Sequence, residues 1–101
     1  MELNLFERYE LIKLLPEKGN FETMNLIDNL LMKLYPSEKE VEEFEIKQTE
    51  KEIVWNDKGK QPKMIEFTKA QRRYIEDIFN KLSEEGELNL AQFKLFKKLI
   101  E

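Results

Sequence analysis

The sequence predicts an α+β domain: three N-terminal helices, a short three-stranded antiparallel meander and two C-terminal helices, folded as one compact unit over residues 1–101. Two observations predict it. Five segments each open on an Asn, Ser or Thr that caps helices and continue with apolar side chains three or four apart. Between the third and fourth of these the apolar period drops to two, and β-branched and aromatic residues take over. Small antiparallel sheets are usually covered by helices on one face, so this order makes an α+β arrangement.

The first helix begins at Asn4, with Glu7 placed to complete a capping box. Leu5, Phe6, Tyr9, Ile12 and Leu15 form its stripe, Pro16 ends it, and Gly19 permits the turn. The second starts at the cap Asn20 and carries Phe21, Met24, Ile27, Leu30, Leu31 and Leu34 up to Pro36. The third is short, capped by Ser37 with Glu40 reciprocating; Val41 and Phe44 are its only candidates for burial.

Phe44, Ile46 and Gln48 then alternate with polar neighbours, and Ile53-Val54-Trp55 follows, which predicts a hairpin turning near Gln48 to Lys51. Asn56 to Pro62 reads as a loop. Met64 to Phe67 reads as a third strand antiparallel to the second. Thr68 with Gln71 caps the fourth helix, whose stripe is Tyr74, Ile75, Ile78, Phe79 and Leu82, with Gly86 just past its end. Asn89 with Gln92 caps the fifth. Its predicted inner side is Leu90, Phe93, Phe96 and Ile100, widened by Leu95 and Leu99.

Composition narrows the chemistry. The chain has no histidine and no cysteine. Histidine is the side chain that titrates unperturbed near neutral pH, and cysteine supplies the ready thiolate. Their absence removes ordinary zinc sites, disulfides, Ser-His-Asp triads and Cys-His dyads. Ser37 and Ser83, the only serines, lie in no nucleophile elbow, and three glycines make no phosphate-cradling loop. The sequence therefore points away from an enzyme and from any cofactor.

No apolar run approaches the roughly 18 residues that span a bilayer. The opening Met1-Glu2-Leu3-Asn4 lacks the basic and apolar regions of a signal peptide, so a cytoplasmic location is expected. The net charge of −4 is unevenly spread. Seven basic and 13 acidic side chains leave −6 on residues 1–56, while ten basic and eight acidic leave +2 on residues 57–101. Such halves attract each other or offer a partner faces of opposite sign.

Two charged constellations follow. Glu38, Glu40, Glu42, Glu43 and Glu45 could bind metal only if they converged, and on a short exposed helix they read as a solvated face. Lys58, Lys60, Lys63, Lys69, Arg72 and Arg73 run from a loop into the first turns of a helix, whose N-terminus favours anions. These six are the candidate partner-binding residues, set against ordinary surface solubility. Trp55 could anchor an interface but alternates in step with Ile53, which places it in the hairpin's core. Helix, helix, helix, hairpin is also the order of a winged helix, but its groove-entering helix would be the acidic one, which opposes phosphate contact.

Leu5-Phe6-Glu7-Arg8, Leu14-Leu15-Pro16 and Gly19-Asn20-Phe21-Glu22-Thr23, together with Lys81-Leu82, Gly86, Leu88, Phe93 and Phe96, resemble a group of small phage and prophage proteins without an assigned activity. These are cap and core positions and carry no functional residues across. The resemblance implies a phage origin and action inside a bacterial cell. The expected function is thus non-catalytic: binding of a macromolecule, as in phage accessory proteins that block a host enzyme or defence component. The surface would include the basic segment near Thr68 or excess apolar surface on the fifth helix. Self-association as a virion or assembly component is the second reading. A nucleic-acid-binding regulator is the third.

Overall fold

The computed structural model describes residues 1–101. Its elements are β1 (Glu2–Leu3), α1 (Leu5–Leu14), α2 (Phe21–Leu34), α3 (Glu38–Glu43), β2 (Lys47–Gln48), β3 (Ile53–Val54), a 3-10 turn (Asp57–Lys60), β4 (Lys63–Met64), α4 (Lys69–Glu84) and α5 (Leu90–Ile100). All five helices begin at the expected caps. The Asn4, Ser37, Thr68 and Asn89 boxes are complete, and Asn20 accepts from the Thr23 amide.

The three-stranded meander does not form. Two separate two-stranded antiparallel sheets take its place, β1 with β4 and β2 with β3. The segment expected to be a loop at Asn56–Pro62 contains the 3-10 turn, closed by the Asn56 side chain on the Lys58 amide. That turn packs on the hairpin: a Cβ built on Gly59 would lie 2.5 Å from Trp55 Cδ1. The chain leaves this turn away from β3 and meets the N-terminus instead. The Met1 ammonium donates to the Ile65 carbonyl at 2.9 Å, and the Ile65 amide donates to the Met1 carbonyl at 2.9 Å. Leu3, carried on β1, is thereby fully buried.

The core joins β1, four helices and Ile65, which follows β4, through Leu3, Leu11, Leu30, Leu34, Ile65, Ile75, Phe79, Leu95 and Leu99. Phe79 of α4 and Phe96 of α5 stack with centroids 5.1 Å apart. Removing any one of these leucines down to alanine leaves a cavity that costs about 2–5 kcal/mol.

Four stripes differ from their expected roles. Phe21 on α2 and Phe6 on α1 are exposed, as is Val41 on α3. On α1 the buried face is Leu5, Arg8 and Leu11, so an arginine occupies a core position. On α5 the inner side is Leu95 and Leu99, with Phe96 half-buried, while Leu90, Phe93 and Ile100 face outward. Leu95 and Leu99 lie four apart and reach the core together. The residues expected to widen the stripe are its centre.

Candidate functional site

The six basic residues predicted for partner binding lie on three successive elements, the 3-10 turn, β4 and α4. Lys58 and Lys60 sit on the 3-10 turn, which packs beside α1, and Lys60 pairs with Asp57 at 3.2 Å. Lys63 on β4 reaches across to Glu40 on α3 at 3.4 Å. Arg72 on α4 pairs with Glu76 at 3.6 Å and donates to the Leu99 carbonyl near the end of α5. Lys58, Lys69 and Arg73 are exposed and make no ion pair within the chain. Three of the six are thus paired within the chain, Lys60 in a pair open to solvent.

Of the five glutamates at Glu38–Glu45, Glu40 turns inward. Arg8, 2% exposed, donates from Nη1 to Glu40 Oε2 at 2.8 Å and from Nη2 to Oε1 at 3.3 Å. Its remaining donors cap the C-terminal end of α2, Nε on the Leu34 carbonyl at 2.9 Å and Nη2 on the Tyr35 carbonyl at 3.0 Å. Glu40 also accepts from the Ser37 amide, completing its capping box, and from Lys63. The Arg8 hydrogen bond outweighs the cost of desolvation and holds the Glu40 carboxyl at about 2, below its ordinary 4.5. No buried side-chain polar atom lacks a partner. This node ties α1, α2, α3 and β4 together. No three acidic side chains converge as a metal site would require.

The surface that stands out is the outward face of α5. Leu90 is 66% exposed, Phe93 47% and Ile100 58%. With about 100° of rotation per residue, Leu90, Phe93, Lys97 and Ile100 fall within an arc of roughly 80°, and Lys94 borders it. Lys97 Nζ lies 5.7 Å from the Phe93 ring centroid. The opposite flanks of α5 are fixed. Lys98 pairs with Glu7 of α1 at 3.0 Å, Phe96 stacks on Phe79 of α4, and Arg72 holds the Leu99 carbonyl. The helix therefore cannot roll to bury the stripe without breaking these contacts.

Other apolar surface is dispersed. An open groove of about 440 Å³ between α1, the α2–α3 junction and the hairpin is lined by Ile12, Tyr35, Val41, Ile46 and Ile53. A second groove, beside β4, exposes Met32, Tyr35 and Met64 among Lys33, Lys63 and Glu66. Tyr9 and Trp55 stack at 5.8 Å, which absorbs the lone tryptophan into the contact between α1 and the hairpin. No helix is long and apolar enough to cross a membrane.

The sequence anticipated excess apolar surface on the fifth helix but assigned the outward residues to its inside. The signal that would have separated them is the charge pattern. Lys94 and Lys97 neighbour Leu90, Phe93 and Ile100 on the helix surface, whereas Leu95 and Leu99 are flanked there by Ala91, Gln92 and Phe96, with Lys98 their one charged neighbour. No protein-family model, curated protein or solved structure matches the chain.

Proposed function

We propose that this chain is a non-catalytic phage-type accessory protein that acts in the cytoplasm of a bacterial host by binding another protein, a host enzyme or defence component that it blocks. The observation that carries the binding reading is the fixed apolar face of α5, with Leu90, Phe93 and Ile100 presented to solvent in register. An amphipathic helix laid against a helix face is a recurrent way for proteins to recognise each other. The phage and host elements of the proposal rest on the likeness of the opening and closing segments to small phage proteins. The non-catalytic element rests on a sequence without histidine or cysteine.

The test is affinity capture from host lysate with three baits: the native chain, Phe93→Glu, and Lys69→Glu/Arg73→Glu. The double substitution omits Arg72, because that side chain holds the end of α5. One host protein captured at stoichiometric ratio by the native chain and lost with Phe93→Glu supports the reading and locates the surface. Loss with the Lys69/Arg73 variant alone moves the surface to the N-terminus of α4. Recovery of only this chain or virion proteins overturns the reading in favour of an assembly role.

A further inference from the structure

We infer that the outward face of α5 takes an acidic amphipathic helix of a partner protein; the inference rests on the binding reading above and specifies its chemistry. The apolar stripe gives the geometry. Leu90, Phe93, Lys97 and Ile100 follow spacings of three, four and three, the seam that a second helix covers. The partner is helical because α5 has no strand edge to offer. Its amides and carbonyls are used within the helix, so a docking segment must satisfy its own backbone.

Charge selects the sign of the partner. Every ionisable side chain from Leu90 to Ile100 is a lysine: Lys94, Lys97 and Lys98. Lys98 is neutralised by Glu7, whereas Lys94 and Lys97 have no ion-pair partner and stand beside and within the stripe. Lysine in the last turn also complements the helix dipole, which accounts for Lys97 and Lys98 but not for Lys94 in mid-helix. The nearest acidic residues along the chain lie outside the helix, Glu84, Glu85 and Glu87 before it and Glu101 after it.

A second copy of this chain docked face to face would bring Lys94 and Lys97 against Lys94 and Lys97, a like-charge contact. An anionic membrane is also a poor occupant. The face offers three apolar side chains, the rest of the helix being committed to the core, and the chain as a whole carries −4. A helix with apolar residues three or four apart and Asp or Glu on its flanks meets both the stripe and the lysines.

The experiment is selection from a displayed library of helical peptides in which the apolar seam is fixed and the flanking positions are varied between Glu and Lys. Three full-length targets are used: native, Phe93→Glu and Lys94→Glu/Lys97→Glu. The expected result is enrichment of Glu-flanked peptides by at least tenfold on the native chain, loss on Phe93→Glu, and reversal to Lys-flanked peptides on the charge-reversed chain. Capture that depends on Phe93 but not on flank charge overturns this inference and leaves the binding reading standing. Absence of any Phe93-dependent capture overturns this inference, while the binding reading stands or falls with the lysate capture. Sedimentation of the native chain as a dimer dispersed by Phe93→Glu assigns the face to a second copy. Binding to phosphatidylserine vesicles lost with Lys94→Glu/Lys97→Glu assigns it to a membrane. Either outcome overturns the proposal.

Discussion

The Arg8–Glu40 node and the basic segment Lys58–Arg73 contain the same kinds of charge and do different things with them. The node has one arginine and one glutamate, nearly all of whose bonding capacity is met inside the fold. The basic segment has six cations, only three of which find acidic partners, all of those partly or fully exposed. Charge density along a sequence is therefore a poor guide to where charge matters. What counts is how far a group is removed from water and whether its neighbours satisfy it, because a paired ion in a dry place is costly to orphan and a surface ion is not.

The largest effect that breaks this comparison comes from Arg8→Met. It keeps apolar volume but strips the Leu34 and Tyr35 carbonyls and the Glu40 carboxylate of their donor. Orphaning a buried pair costs about 3–5 kcal/mol, read as a fall in the urea midpoint. A cycle with Glu40→Gln tests the coupling. The double variant is expected to lose less than the sum of the singles, since both remove the same contact.

The node also makes stability depend on acid. Glu40 sits at about 2 in the folded chain against an ordinary 4.5. Its ionised form therefore stabilises the fold fully above the ordinary value. As the pH falls through 4.5 toward 2, that contribution, roughly 1–3 kcal/mol once solvent screening of the partly exposed carboxylate is counted, is lost. Melting curves between those limits should fall for the native chain and run flatter for Glu40→Gln. Equal slopes would mean that other carboxylates carry the acid transition.

Within the basic segment, the residue that matters most to the fold carries no charge. A methyl group on Gly59 would meet Trp55 Cδ1 at 2.5 Å, and the indole also stacks on Tyr9. Gly59→Ala should cost about 1–3 kcal/mol by overpacking and shift the tryptophan emission, as the ring moves off the 3-10 turn. Unchanged emission and stability would show that the turn yields more easily than the aromatic stack.

These contrasts mark what could be read from the sequence. All five helix starts were legible because capping is local: an Asn, Ser or Thr meets an amide three residues on. The hairpin at Lys47–Val54 was legible for the same reason. The pairing of β4 with β1 was not, because it joins Met1 to Ile65 across the whole N-terminal half, and two-residue strands leave almost no periodic signal. Arg8 was missed because its burial depends on carbonyls delivered by the end of α2 and a carboxylate delivered by α3. At α5 the apolar content was legible but its direction was not, since six apolar side chains cover more of the helix than one neighbour can bury.

The smallest expected effect sharpens the comparison from the other side. Lys69 and Arg73 lie in the first turns of α4, exposed and without an ion-pair partner, so reversing both leaves no buried group orphaned. The change adds acidic side chains where the helix dipole welcomes them, which offsets the lost solubility of two cations. The urea midpoint should therefore correspond to a stability within about 0.5 kcal/mol of the native chain. Under the same reversal, the affinity for an acidic helical peptide at α5 should hold, weakened only by the loss of a distant positive field, an effect that vanishes at high salt. A large loss of affinity that persists in salt would place Lys69 and Arg73 in direct contact with the partner. The site would then run from α5 onto the start of α4, along the side where Arg72 already joins the two helices.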